Sequence, residues 1–197
     1  GTNNLDHAHG RFPATERNAL PWAWTDSIAG LDRASHIVLL GTDTYFRQPI
    51  IDLRIRRALR KGARVYVVTP EPTRLDRLAT GVIRYAAGQT GLIARAMLNV
   101  VLSEELTRGE FAAGRAASVA TRRASVAQET PDRVAALAAT DADALRALAR
   151  EIAGAAGAVI LYDEQATREA SGATLLAEAI DLALLTDNYG RRGAGVG

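Results

Sequence analysis

Two short runs of branched apolar residues, separated by one amphipathic segment, restrict the folds open to this chain. Ser35-His36-Ile37-Val38-Leu39-Leu40-Gly41 and Arg64-Val65-Tyr66-Val67-Val68-Thr69-Pro70 lack the polar alternation of a half-exposed strand. Each therefore reads as a strand covered on both faces and stopped by a turn residue. Between them, Pro49 to Arg60 carries Ile50, Leu53, Ile55 and Leu59 among arginines. With Pro near its first turn and Lys61-Gly62 at its end, this segment is a helix. Strand, helix and strand within ~35 residues make one βαβ unit, whose two strands run parallel.

The rest of the chain extends that pattern. Asp26 to Leu31 forms a short turn, Thr73 to Thr80 a loop or helical turn, and Val82 to Tyr85 a short third strand. From Thr90 to Glu104, Leu92, Ile93, Ala96, Met97, Val100 and Val101 recur at helical spacing, and Met97 is core filler. Residues 107–127 are rich in Ala and Arg and predict exposed helices. Thr130 followed by Pro131 marks a helix start. Thr140-Asp141-Ala142-Asp143 marks a second start, with Asp143 at the third helical position, opening a helix through Leu145, Leu148 and Ile152. Ala158 to Tyr162 is another buried strand, Thr167 to Leu185 a long helix, and Asp187 to Gly197 a loop by composition. The fold class is α/β: an open, mostly parallel, Rossmann-like sheet with helices on both faces and a helical stretch inserted around residues 107–155. Residues 1–197 form a single domain behind a loop-rich entry segment, in which Trp22 and Trp24 cover an apolar edge.

Composition excludes more than it assigns. The formal net charge of +2 carries no basic stripe, so nucleic acid is not an expected partner. The chain has 0 cysteines, which removes disulfides, thiolate zinc sites and Cys-held iron–sulfur clusters from within it. No run approaches the ~20 apolar residues of a membrane span. The polar start without Met and the glycine-rich finish both read as cut ends of a longer chain.

Ligands of such sheets sit at the carboxyl ends of the strands. Those ends are Gly41-Thr42-Asp43-Thr44, Thr69-Pro70-Glu71-Pro72-Thr73-Arg74 and Asp163-Glu164-Gln165. Gly41 allows close backbone approach, the hydroxyls of the first turn can bond a phosphate, and Thr73 and Arg74 can hold a phosphate or ribose. Many α/β domains leave this crevice empty, and without GxGxxG or a P-loop the residues alone favour the empty crevice. His7 and His9 beside Asp6 are conceivable metal ligands, although a His pair in a Pro-rich loop is more often surface chemistry of no consequence. His36, at a strand start, is a packing or hydrogen-bonding residue rather than a base.

Several phrases, in order, resemble one family. Gly1-Thr2-Asn3-Asn4-Leu5-Asp6-His7 resembles the phrase leading into the active-site loop of molybdopterin oxidoreductases. Ala34 to Ala79, with Gly41, Pro49, Arg60-Lys61-Gly62-Ala63, Pro70 and Thr73-Arg74, resembles their first dinucleotide-binding-like domain. Thr130 to Ile152 resembles the helical pair before their next strand. Leu184-Leu185-Thr186-Asp187-Asn188-Tyr189-Gly190-Arg191-Arg192-Gly193-Ala194-Gly195-Val196 resembles their closing glycine-rich phrase.

The departures from that pattern point to a branch. The stretch His7 to Pro13 holds no Cys, selenocysteine or Ser to ligate a metal. Asp43-Thr44 replaces the family's Asn-Pro, and Thr69 replaces its acidic residue. The phrase from Gly41 through Gln48 to Ala58 is similar to the large peripheral-arm subunit of the proton-pumping NADH:quinone oxidoreductases (respiratory complex I). That resemblance implies a non-catalytic scaffold, inactive in isolation, within an enzyme that passes electrons from NADH to quinone through iron–sulfur clusters held upstream. It implies other peripheral-arm subunits as partners, a peripheral position on the cytoplasmic side of the inner membrane, and no direct membrane insertion. Gly41, Thr42, Thr69, Thr73, Arg74, Asn188 and Gly190 are then vestigial cofactor contacts, with no catalytic or metal-binding residue and no cofactor in this part. The alternative is the cofactor-binding domain of an active, formate dehydrogenase-like enzyme, in which the same residues contact molybdopterin guanine dinucleotide. An unrelated nucleotide-binding module is a third reading.

Overall fold

The computed structural model describes residues 26–163, Ala166, Arg168, Glu169 and residues 171–197. The readings of His7, His9, Trp22, Trp24, Glu164 and Gln165 lie outside them. Five strands, β1 (His36–Leu40), β2 (Arg64–Val68), β3 (Gly81–Ile83), β4 (Ala158–Tyr162) and β5 (Gly195–Val196), form one sheet in the order β3-β2-β1-β4-β5. Every pairing is parallel. The helices whose bounds fall among the described residues are α1 (Thr44–Arg47), α2 (Pro49–Arg60), α3 (Thr90–Ser103), α4 (Glu110–Ala113), α5 (Ala116–Ser125), α6 (Pro131–Ala138), α7 (Ala142–Gly154) and α8 (Leu175–Leu185).

Alternation along the strands builds two cores. Ile37, Leu39, Val65, Val67, Val159 and Leu161 point to one face, where α2 supplies Ile55 and Ala58 and a 3-10 turn at Ile28–Arg33 supplies Leu31. Val38, Leu40, Val68 and Ile160 point to the other, packed with Met97 of α3, Leu148 of α7 and Leu182 of α8. Residues Ile37 to Leu40 of the central strand are at most 1% exposed, so no polar residue is tolerated there. Helices thus cover both faces, as the apolar strand runs require.

Three local readings change, and the third strand runs Gly81–Ile83 where Val82 to Tyr85 was expected. The terminal loop contains a strand: Val159 pairs with Gly195 and Ile160 with Val196, and the Gly197 N–H donates to the Ile160 carbonyl at 3.0 Å. Two residues of strand, Gly195 and Val196, at the end of a glycine-rich run leave no periodicity to read. The last helix begins at Leu175 instead of Thr167, after a 3-10 turn at Gly172–Thr174. Upstream, Glu169 and Ser171 turn their side chains to accept from the Thr90 and Gly91 N–H groups at the start of α3, at 3.0 and 3.1 Å. Those contacts hold the segment out of a continuous helix. The N-cap of α7 is Asp141, whose carboxylate accepts from the Asp143 and Ala144 N–H groups, while Thr140 follows the left-handed Ala139 that ends α6. Asp is the stronger cap, and one register further on it reaches two free donors. The Thr130 cap and Pro131 start of α6 stand as read.

Helix α5 buries none of its own residues and is fastened by charge. The fully buried carboxylate of Glu178 on α8 receives Arg95 at 3.1 Å and Arg122 of α5, and Arg122 also meets Asp181 at 2.6 Å. Arg95 donates to the Ser125 carbonyl at 2.6 Å, and Asn99 to that of Val126 at 2.9 Å. Burial pushes the Glu178 carboxyl above its ordinary range in spite of the guanidinium groups beside it. A neutral amide should therefore replace it well. Glu178→Gln is expected to cost under about 1 kcal/mol at pH 7, against about 3 kcal/mol for Glu178→Ala, which leaves two guanidinium groups facing a void. As pH falls toward the ordinary carboxyl value of 4.5, the folded wild type takes up this proton before the unfolded chain does and gains on the Gln variant. Urea denaturation at both pH values checks this, and equal losses for Gln and Ala at pH 7 contradict it.

Candidate functional site

Chain direction reverses beside β1. From β1 the chain crosses through α2 on one face to reach β2, whereas from β4, on the other side of β1, it passes through α8 on the opposite face to reach β5. The carboxyl ends of β1 and β4 consequently meet at a topological switch point, the place where open sheets of this kind bind ligands.

Gly41 makes the turn at that edge. Its φ of +69° is unfavourable for any side chain, and a Cβ there would lie 2.8 Å from Thr90 Cγ2 and 2.9 Å from the Ala166 Cβ. Its N–H donates to the Val68 carbonyl at 2.8 Å, fixing the turn to the end of β2. Thr42 comes next and is 2% exposed; its hydroxyl has no hydrogen-bond partner among the described residues. Asp43 caps α1 by accepting from the Tyr45 N–H at 3.0 Å, and Thr44 donates to Asp52 of α2 at 3.3 Å. These bonds orient Tyr45 outward, where its hydroxyl accepts from Arg74 at 2.8 Å. The Arg74 guanidinium lies 4.1 Å from the Tyr45 ring centre and 5.6 Å from that of Phe46.

Behind this edge the polar groups are satisfied internally. The Thr69 hydroxyl donates to the Glu71 carbonyl at 2.8 Å and accepts from Arg84 at 2.7 Å. Arg84 also binds Asp76, which accepts from the Thr73 hydroxyl at 2.8 Å. Partial burial pushes the Asp76 carboxyl up, but the bonds from Arg84 and Thr73 outweigh it and hold the group below its ordinary range. The Tyr85 hydroxyl lies 2.8 Å from that of Thr90, and burial pushes it far above the ordinary phenol range, so it stays protonated. Arg47 reaches Asp163 at 3.6 Å across the mouth.

The structure gathers Gly41, Thr42, Thr69 and Arg74 at this edge, with Thr73 locked onto Asp76. It places Asn188 and Gly190 elsewhere. Asn188 is fully buried at the amino end of β4: its amide oxygen accepts from the Ala158 N–H at 2.9 Å, and its NH2 donates to the Ile152 carbonyl at 3.0 Å and the Thr186 hydroxyl at 2.9 Å. Gly190 lies in the same loop, which reaches Arg33 before β1 through Gly193. Reading the sequence passes over Tyr45, Phe46 and Arg84; the adjacent aromatic pair directly after a strand-end turn is the available signal. His36 bonds Ser35 at 2.9 Å and Glu151 at 3.2 Å at the amino end of β1, a tie between sheet and α7.

The profile of the molybdopterin oxidoreductase family matches residues 2–197. The chain belongs to that family. It is similar to the F420-dependent formate dehydrogenase subunit alpha of Methanocaldococcus jannaschii, 26% identical over 200 residues that make up 99% of this chain and 30% of that protein. It is likewise similar to formate dehydrogenase H of Escherichia coli, 28% identical over 201 residues, covering 100% of this chain and 28% of the relative. Among solved structures, acetylene hydratase from Pelobacter acetylenicus shares the fold, with a TM-score of 0.72 at 18% identity over 85% of this chain and 25% of that one. The chain spans under a third of these relatives. The family seen in the sequence stands; its assignment to a complex I scaffold subunit does not, because these relatives are formate dehydrogenases. Among the described residues no helix is long and apolar enough to cross a membrane.

The unpartnered Thr42 hydroxyl gives this site a direct check. Without a ligand it is a buried polar group lacking a bond, so Thr42→Val should leave the ligand-free protein as stable or up to about 1 kcal/mol more stable. Urea denaturation of the isolated chain measures this; a loss of about 1 kcal/mol or more would show that the hydroxyl is already bonded in the free protein.

Proposed function

We propose that this chain is the dinucleotide-binding unit of a molybdopterin oxidoreductase of formate dehydrogenase-like type, with the crevice beside β1 as the seat of the cofactor's phosphate-bearing part. The observation that carries this reading is the family match over residues 2–197, joined to the position of Gly41, Thr42 and Arg74 at the carboxyl edge of the sheet. A phosphate oxygen supplies the acceptor that the Thr42 hydroxyl lacks once the turn shifts to expose that buried atom. Arg74, held over Tyr45 at the rim, adds a cation that can turn toward an anion. The donor set therefore fits the phosphate-bearing part of a pterin dinucleotide.

When bound, the cofactor supplies the two-electron redox chemistry at its metal. The residues of this chain bind and orient it. Gly41 and Thr42 fix the phosphates, Arg74 balances their charge, and Tyr85, kept protonated by burial, holds Thr90 at the start of α3 against Gly41. Asn188 ties the strands together from the opposite end. Iron–sulfur centres relaying electrons onward fall to the rest of a longer protein in this reading, as the partial coverage of the relatives allows.

The full-length protein, matured in a host that makes the cofactor, is expected to carry molybdenum or tungsten by elemental analysis, together with a pterin whose oxidised form fluoresces. Arg74→Ala should reduce cofactor retention on dialysis by about tenfold with an unchanged circular dichroism spectrum. Finding neither pterin nor molybdenum or tungsten in protein from a competent host would defeat the proposal. Formate oxidation with an artificial electron acceptor then tests the substrate class.

A further inference from the structure

Arg74 and Tyr45 stand in different turns, 29 positions apart in the chain, and they meet. Tyr45 follows β1 in α1, and Arg74 follows β2. Those strands are adjacent and parallel, so both turns leave the sheet at the same edge. Each turn is fixed independently of the contact. The Asp43 carboxylate accepts from the Tyr45 N–H at 3.0 Å, and Thr44 ties the same turn to Asp52, which Arg56 holds at 2.7 Å. On the other side the Thr73 hydroxyl donates to Asp76 at 2.8 Å, and Leu75 is buried. The residues flanking Arg74 are thus held, and its long side chain is what remains to be placed.

An exposed arginine samples many rotamers, and an anion that binds it loses affinity to the ordering of that side chain. Here much of the ordering is done within the chain. The Arg74 guanidinium lies 4.1 Å from the Tyr45 ring centre and 5.6 Å from that of Phe46, and it donates to the Tyr45 hydroxyl at 2.8 Å. The two rings meet edge-on, with centres 4.8 Å apart at an angle of 87°, an arrangement in which each steadies the other. Nearby arginines are engaged differently: Arg84 pairs with Asp76 and Arg56 with Asp52. A carboxylate cancels the charge it holds. A ring and a hydroxyl hold a cation without cancelling it, and attraction to the ring consumes no N–H donor.

We infer that Tyr45 is a positioning residue for the phosphate-bearing part of the cofactor, its ring keeping the Arg74 guanidinium ordered and charged at the carboxyl edge of the sheet. The inference rests on the function proposed above, because it needs an anionic ligand for Arg74 to hold. It deepens that function by assigning part of the affinity to a residue that acts through another. The plainer alternative is that Tyr45 only packs α1 against its surroundings. The two differ in one respect. A packing residue matters whether or not Arg74 is present, whereas a positioning residue matters only through Arg74.

A double-mutant cycle on the full-length protein, matured in a host that makes the cofactor, separates them. Pterin retained after dialysis is measured by the fluorescence of its oxidised form, and circular dichroism checks the fold. Tyr45→Ala is expected to lower retention by about fivefold, and Tyr45→Phe, which keeps the ring, by no more than about twofold. In protein that already carries Arg74→Ala, adding Tyr45→Ala should cause no further loss. If Tyr45→Ala disturbs the circular dichroism spectrum, Tyr45→Leu, closer in bulk and without a ring, takes its place in the cycle. An equal loss with and without Arg74 would overturn the inference. Unchanged retention in Tyr45→Ala, or equal losses from Phe and Ala, would do the same. Each of these outcomes is read against wild-type protein that holds the pterin. Wild-type protein without pterin would defeat the cofactor reading itself, and the inference with it.

Discussion

The hydrogen bonding of β1 on both sides is the constraint from which the rest follows. Its five residues pair in parallel with β2 from His36↔Arg64 to Leu40↔Val68, and with β4 from His36↔Ala158 to Leu40↔Tyr162. A strand paired on both edges and covered on both faces has no polar exit, which is why Ile37-Val38-Leu39-Leu40 is apolar without interruption. Parallel pairing on each side also requires two crossovers, and they lie on opposite faces. The crevice at Gly41 is therefore the geometric consequence of the central strand and not a separate invention of the chain.

That origin explains why so few residues make the site. The turn after β1 needs a residue that tolerates positive φ and leaves room for Thr90 and Ala166, and only Gly41 meets both conditions. Once the turn is fixed, Asp43 and Thr44 are consumed in starting α1 and joining it to α2, so Thr42 is left with a buried hydroxyl and no bond. In the native state such a group is either a small destabilisation or a place kept for a ligand. Under the function proposed for the crevice it is the second.

Most of the fold is legible in the sequence because its elements are strongly patterned. Both strands of the first βαβ unit, the Pro49 start and Lys61-Gly62 end of α2, and the Thr130-Pro131 start of α6 follow from local chemistry that tertiary packing reinforces. What escapes depends on contacts distant in sequence. Glu169 and Ser171 leave the helical path only because α3 offers them unpaired N–H groups some 80 residues earlier in the chain. Gly195 and Val196 are a strand only because the edge of β4 is open to them. Under the proposed function the site is legible at Gly41, Thr42 and Arg74, whose position after a strand suggests it. The platform under Arg74 is not, since nothing in the order of residues says that Tyr45 will lie beneath a guanidinium 29 positions away.

The misplaced branch has a physical root as well. Substitution of the family's Asn-Pro by Asp43-Thr44, and of its acidic residue by Thr69, reads in the sequence as loss of cofactor contacts. In the structure Asp43 and Thr44 shape the turn that presents Tyr45, and Thr69 is engaged with Arg84 behind the edge, so each has a structural part of its own. Conversely, the closing phrase around Asn188, which carries much of the family resemblance, fastens the amino end of β4 to α7 and the loop after α8. A motif that identifies a family can thus record how its sheet is held together, while the residues that distinguish its branches stand at the other end of the same strands. Assignment within such a family has to rest on the residues at the carboxyl edge of the sheet, and here those are a glycine, a threonine and an arginine.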